Sequence, residues 1–480
     1  MSMAANEGVE HPARGRLADA LARVSDAPLR GGNELRLLTN GPDTYEEWLA
    51  AIAGAERWVH LDNYIFSADE IGHRFADALS RKARQGVTVR VLYDWFGCLN
   101  VPRGFWRKMR DAGAEVRPVN PPTIGAPLGA IRRDHRKLLA IDGAYASTGG
   151  VCIDDGWMVV SPQNGLPYRD TAVSVRGPAV ADLDRAFAGV WDECGARMPD
   201  AERPQPGSIR AAGNIDARVV IQEPRKMRTL RFLQLLTAGV RERLWITDPY
   251  FLSMPILTQS LMAAARDGVD VRVLTPATND LPWIGALSRT GYRQFLEEGV
   301  RIFEYGGPMI HAKTVVADGW YSKVGSTNLN FSSLATNWEI DLVVEDAGFA
   351  GRMEALFEKD LSDAREVSLV RSGRISEVQP ARPISSSDRA ARRGVAGSGS
   401  GASATAFRVG NAALRKGSVP LETHEQALAS AISGGVLLSS LLALRFPKLL
   451  AWPLALLGTV FGGLGVVRSL RASLSRDQNP

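Results

Sequence analysis

The chain has 480 residues, a formal net charge of +5, a hydrophobic fraction of 45% and three cysteines. That length holds two or three domains, and the modest basic excess suits a negatively charged partner without choosing between nucleic acid and anionic lipid. Cys98, Cys152 and Cys194 are odd in number, widely spaced and lack a C-x-x-C, and they read as reduced thiols in a cytosol-facing protein.

Residues 1–30 read as a polar lead-in with a short helical patch over Arg16 to Val24, and no apolar run marks a secretory signal. ELRLLTNG (34–41) reads as a strand and turn, and DTYEEWLAAIAGA (43–55) as a helix. WVHLDNYIF (58–66) is a strand, a helix follows through Arg84, and GVTVRVLYD (86–94) alternates as a strand. Beyond a Pro/Gly-bearing linker, ERPQPGS (202–208), the same order returns. LWITDPYF (244–251) matches WVHLDNYIF, and GVDVRVL (268–274) matches GVTVRVL (86–92). Such an internal repeat implies two α/β halves related by approximate two-fold symmetry, with a site at their junction.

Each half carries one further signature. HRKLLAIDGAYASTGGVC places His135, Lys137 and Asp142 ahead of Gly149-Gly150. HAKTVVADGWYSKVGSTN places His311, Lys313 and Asp318 ahead of Gly325-Ser326-Thr327-Asn328. The chain has six histidines, and two of them head this H-x-K-x4-D pattern. By composition a given histidine meets it with odds of about one in a thousand, so the doubling is not chance. Both runs read as buried strands, in which residues two apart share a face, so each His projects with its Lys. Asp142 and Asp318 lie at odd offsets beside Gly143 and Gly319, where a short carboxylate ties down a turn. Two imidazoles and two ammonium groups converging on one place suit a phosphodiester. One His attacks phosphorus, the other protonates the leaving alkoxide, and the lysines offset charge, with no metal or other cofactor required.

The doubled motif with its G-S-x-N run resembles the phospholipase D superfamily. TPATNDLPW (275–283), RTGYRQFLEEGVRIFEY (289–305) and the GPAV of RGPAVADL (176–183) resemble its bacterial cardiolipin synthase branch. The resemblance covers roughly residues 30 to 370. It implies an α/β fold of two duplicated sandwich halves with pseudo-two-fold symmetry, over residues 31–203 and 208–372. It also implies phosphatidyl transfer through a covalent phosphohistidine, with His135 as nucleophile and His311 as acid/base by family convention. His135, Lys137, Asp142, His311, Lys313 and Asp318 are then the catalytic set. The family's acidic partner of each His matches Glu339 for His311 and Asp170 for His135. Asn328, beside Ser326, matches a donor to phosphate oxygen, while Cys152 departs from the pattern in the first half. His60 reads as a packed histidine. Arg132 and Arg133 read equally as holders of a second anionic headgroup or as a solvated basic pair.

Composition shifts near residue 380. Residues 378–424 form a basic Ser/Gly/Ala-rich linker, with Arg382, Arg389, Arg392, Arg393, Arg408, Arg415 and Lys416 against Asp388. Apolar runs at 427–444 and 449–467 are broken by Arg445, Pro447 and Lys448. Residues 425–470 therefore read as a membrane-associated helical hairpin, spanning or re-entrant, with Trp452 at the interface. The expectation is an inner-membrane phosphatidyltransferase with its catalytic part facing the cytoplasm. Its partners would be anionic phospholipids, phosphatidylglycerol and cardiolipin, and no nucleic acid. Hydrolysis by a phospholipase D is the alternative, and a phosphodiesterase or nuclease a more distant one.

Overall fold

The computed structural model describes residues 12–122, 132–158, 167–369 and 375–380. All of them fall in a compact unit, Met1–Arg415. The hairpin expected over 425–470 lies outside the described residues. So does the linker expected over 378–424, except that residues 378–380 end a strand. Among the described residues, no helix is long and apolar enough to cross a membrane.

The first half begins with β1 (Arg30–Thr39), α2 (Asn40–Gly54), β2 (Trp58–Asn63) and α3 (Glu70–Arg84), preceded by α1 (Pro12–Ser25). It continues through β3 (Thr88–Asp94), α4 (Arg103–Asp111), β4 (Glu115–Val119), β5 (Lys137–Ile141), β6 (Tyr145–Gly149), β7 (Thr171–Arg176) and α5 (Ala179–Glu193). The second half runs through β8 (Ile215–Gln222), α6 (Arg228–Gly239), β9 (Arg243–Thr247), α7 (Pro255–Arg266), β10 (Asp270–Pro276), α8 (Pro282–Thr290) and α9 (Tyr292–Glu297). It then adds β11 (Arg301–Tyr305), β12 (Thr314–Ala317), β13 (Tyr321–Gly325), β14 (Glu339–Glu345), α10 (Ala347–Ser362), β15 (Ala364–Leu369) and β16 (Ile375–Pro380).

Strand order in the first half is β1-β7-β6-β5-β2-β3-β4, and in the second β8-β14-β13-β12-β9-β10-β11, with β15 and β16 added at the far edge. The two meet at β1 and β8, where pairing is limited to Arg30 with Ala217 and Asn33 with Ile215 across an irregularity. Both sheets are mixed, since β2 runs parallel to β3 and antiparallel to β5, as β9 does to β10 and β12. The motif strands read as unbroken apolar runs because both their faces are covered. Leu138, Ala146 and Val173 of the first half share one core cluster with Val316, Val324 and Leu342 of the second, so the halves are packed through their strands.

Within the expected lead-in, α1 is amphipathic. Leu21 of α1 is buried in the core of the second half, and Arg218 donates to the carbonyls of Ala18 and Ala27.

Candidate active site

The two motif strands begin at one place. His135 N–H donates to Trp338 O at 3.0 Å, and Trp338 N–H donates to Arg133 O at 2.9 Å. In the other half His311 N–H donates to Arg169 O at 2.7 Å, and Arg169 N–H to Met309 O at 3.0 Å. Each histidine is thus stitched by backbone to the segment that enters β7 or β14 of the opposite half.

The residues after those clasps are Asp170 and Glu339, and their carboxylates land beside the histidines they are stitched to. His135 Nδ1 lies 2.9 Å from Glu339 Oε2, and His311 Nδ1 lies 2.8 Å from Asp170 Oδ2. The sequence comparison pairs Glu339 with His311 and Asp170 with His135, and the structure exchanges them. Within one half the carboxylate strand is separated from the histidine strand by β6 or β13. Two strand spacings are roughly 9.6 Å, too far for a hydrogen bond, whereas the opposite half faces the ring directly.

Both carboxylates are fully buried and held by other donors. Glu339 accepts from Ser326 Oγ at 2.6 Å, and Asp170 from Trp157 Nε1 at 2.9 Å and Thr171 N at 2.8 Å. Burial alone would raise Asp170, but His311, Lys313 and Trp157 overcome it and hold its pKa at about 2. Glu339 is likewise lowered against its burial, by His135, Lys137 and Ser326. With its Nδ1 given to Glu339, His135 has Nε2 left for substrate, while the nitrogens of the His311 ring lie against both Asp170 and Lys313. Gly150 is required here, because a Cβ would lie 2.1 Å from Asp170 Oδ1.

Lys137 and Lys313 are buried. Lys137 Nζ donates to His135 O at 2.6 Å, and Lys313 Nζ lies 2.9 Å from His311 Nε2. Burial and the charge of Lys137 lower Lys313 to about 8, against the pull of Asp170. Burial and then Lys313 lower His311 to about 3, and Lys137 adds to the effect. Burial also lowers His135, opposed by Glu339 and assisted by both lysines. Each histidine therefore feels the lysine of either half, as it must if the four groups serve one anion.

Asp142 and Asp318 stand elsewhere. Each follows its lysine by five residues, at the far end of the strand, roughly 16 Å away. Asp142 accepts from the backbone N–H groups of Glu56, Arg57 and Trp58 at 2.7–2.8 Å. Asp318 does the same for Arg241, Glu242 and Arg243 at 2.8–3.0 Å. With φ of 55° and 50°, each starts a left-handed Asp-Gly turn, and its side chain fastens that turn to the entry of the neighbouring strand. The turn role expected from the spacing is visible, and the structure does not bring these two acids to the histidines.

Asn328 is buried, and its Oδ1 has no hydrogen-bond partner among the described residues. Register places Cys152 at the matching position of the first half, and burial raises its thiol pKa. His60 is packed as expected, 2.6 Å from Asp184 through Nδ1 and stacked on Phe187. Arg133 lies over the Phe96 ring at 4.0 Å, and Arg132 is exposed. Sequence reasoning missed the aromatic wall. Tyr64 lies 4.7 Å from the His135 ring, while Trp157 and Tyr250 lie 5.3 and 6.0 Å from that of His311. The one available signal is that WVHLDNYIF and LWITDPYF both end in Tyr-bearing segments.

Comparison with known proteins gives a consistent picture. The family described as "Cardiolipin synthase, PLD-like domain" matches residues 234–361. Cardiolipin synthase A of Pseudomonas fluorescens is 32% identical over 370 residues, covering 75% of each chain. Cardiolipin synthase of Geobacillus kaustophilus is 30% identical over 353 residues, covering 72% of this chain and 69% of that protein. In fold, the chain is similar to phosphatidylserine synthase of Haemophilus influenzae. The TM-score is 0.58 at 15% identity, over 73% of this chain and 92% of that one.

Proposed function

The chain belongs to the cardiolipin synthase family of phospholipase D-like proteins, and from that premise we propose how its site works. It is an enzyme, a phosphatidyltransferase. Phosphatidylglycerol is the donor in this reading. His135 Nε2 attacks phosphorus, the bond to the glycerol oxygen breaks, and His311 delivers a proton to that oxygen as glycerol leaves. A hydroxyl of a second phosphatidylglycerol then gives its proton to His311 and attacks the phosphohistidine, which returns His135 and yields cardiolipin.

The observation that carries this reading is the crossed pair of His–carboxylate contacts, 2.9 and 2.8 Å long, which leaves His135 Nε2 available as nucleophile and sets the His311 ring between Asp170 and Lys313. Burial, assisted by Lys313 and Lys137, disfavours the charged form of both imidazoles, which suits a nucleophile. A bound phosphodiester anion offsets the lysine charge and lets His311 carry the transferred proton. Asn328 supplies a further polar group for a phosphate oxygen. Water in place of the second lipid would make the same site a phospholipase D.

The matching strand orders of the two halves support an internal duplication, with 31–203 and 208–372 as its copies. In this reading the protein works at the inner membrane with its catalytic part facing the cytoplasm, and the apolar sequence of residues 425–470 is what would anchor it there. The test is lipid mass spectrometry of the purified protein with phosphatidylglycerol vesicles and a His135→Ala control. Cardiolipin plus glycerol, absent in the control, is expected. Phosphatidic acid alone would make the protein a hydrolase.

A further inference from the structure

Among the described residues, seven large apolar side chains are exposed, and all lie on segments leaving the strand ends at the histidines. Phe96 and Leu99 follow β3, and Ile256 stands in the segment after β9. Leu281, Trp283 and Leu287 follow β10, and Phe331 comes three residues after Asn328, beyond β13. The ends of β2 and β9 are anchored to the site, since Asn63 pairs with Lys137 and Thr247 with Thr314, next to Lys313. Trp283 is 64% exposed and Phe331 59%, far more than an ordinary packed aromatic.

Several of these side chains are mechanically tied to the catalytic residues. Arg133, two residues before His135, covers the Phe96 ring. Asp94, at the root of the Phe96 segment, accepts from Asp134 N at 2.8 Å. Asp280, next to Leu281, accepts from Tyr250 Oη at 3.0 Å, and Tyr250 packs against His311. Exposed cations accompany them. Arg132 precedes His135 closely, and Arg225 and Lys226 stand where Arg225 N–H donates to Ala335 O at 2.8 Å. Asp280 accepts from Tyr250 Oη, and Glu223 is paired with Arg228 at 3.0 Å.

We infer that this rim is a second membrane contact, by which the catalytic body itself docks on an anionic phospholipid surface around the mouth of its site. The inference rests on the phospholipid substrate of the proposed function. His135 and His311 are 8% and 5% exposed, so a lipid phosphodiester reaches them only if the mouth is pressed to the surface that holds it. Aromatic and aliphatic tips flanked by arginine and lysine are the composition that partitions at such a boundary. The apolar C-terminal residues can tether the chain, but a tether does not orient a mouth.

The test compares full-length protein with the triple variant Leu99→Ser/Trp283→Ser/Phe331→Ser on two forms of phosphatidylglycerol, which spares Phe96 and its contact with Arg133. Turnover of long-chain lipid in vesicles is expected to fall by about tenfold or more, with turnover of dihexanoyl phosphatidylglycerol, dissolved as monomers, within about twofold of the parent. Equal activity on both forms would overturn the inference. Equal loss on both would overturn it too, because the rim would then be supporting the site rather than docking it. A parent inactive on either lipid would count against the reaction and not the rim, so the rim is also tested without turnover. In His135→Ala protein bound to vesicles of brominated phosphatidylglycerol, Trp283→Tyr should remove a quenched component of the tryptophan fluorescence. An unchanged quenching profile would place Trp283 in water and refute the docking.

Discussion

The crossed contacts predict that Asp170 and Glu339 act on different chemical events, each through the histidine of the other half. Glu339→Gln removes the charge that accepts His135 Nδ1–H at 2.9 Å, and Asp170→Asn removes the one that accepts from His311 at 2.8 Å. A hydrogen bond to a charged group contributes about 1.5–3 kcal/mol, so each change should slow the step its histidine serves by roughly ten- to a hundredfold. Asp170 also accepts from Trp157 and Thr171, and the amide can accept from only some of these donors. That places Asp170→Asn at the upper end of the range.

The two variants are separated by the leaving group. A phosphatidyl ester of p-nitrophenol expels its phenolate without a proton, so its first step needs the nucleophile and not the acid. With the nucleophile identified by mass spectrometry of the phosphatidyl-labelled peptide as His135, the p-nitrophenolate burst should be nearly normal in Asp170→Asn and slow in Glu339→Gln. On phosphatidylglycerol both variants should be slow. Recovery in Glu339→Gln instead would refute the crossed assignment.

Three further outcomes follow from the same geometry. Lys313, lowered to about 8, is charged below that pH and loses its charge as pH rises through it. The ratio kcat/KM should therefore decline above pH about 8, and Lys313→Arg, although slower overall, should shift that limb upward. Asp142→Ala and Asp318→Ala each strip the acceptor from three backbone N–H groups. Each should cost about 1–3 kcal/mol of stability by thermal or urea unfolding, with kcat on folded protein changed by less than about threefold. Gly150→Ala drives a methyl into the Asp170 carboxylate and should lower activity at least about tenfold. Gly54→Ala, with nothing within 4 Å of its Cβ, should leave activity and melting temperature nearly unchanged.

Much of the site was legible because it depends on short-range geometry. The two-residue spacing of His135 with Lys137 and His311 with Lys313 requires only that a strand alternate its faces, so each pair is delivered together wherever the strand goes. The apolar runs between Lys and Asp announce strands covered on both sides, and the Asp-Gly steps announce left-handed turns. The repeated order of elements carries enough to expect two halves with a site between them.

What the sequence left undecided depends on groups that meet from far apart in the chain. His135 and Glu339 are 204 residues apart, and His311 and Asp170 are 141. Similarity between the halves suggests that each carboxylate serves its own histidine, yet a strand lies between them in the sheet. Only the packing of one half against the other brings the backbone of Trp338 to His135 and that of Arg169 to His311. The same applies to Asp142 and Asp318, which stand in line with the catalytic residues in sequence but point to the opposite end of the strand. The aromatic wall of Tyr64, Trp157 and Tyr250 converges from separate segments that share no spacing rule. Local periodicity therefore determined which side chains travel together, while tertiary contact decided which of them meet, because hydrogen bonds depend on distance in space and not along the chain.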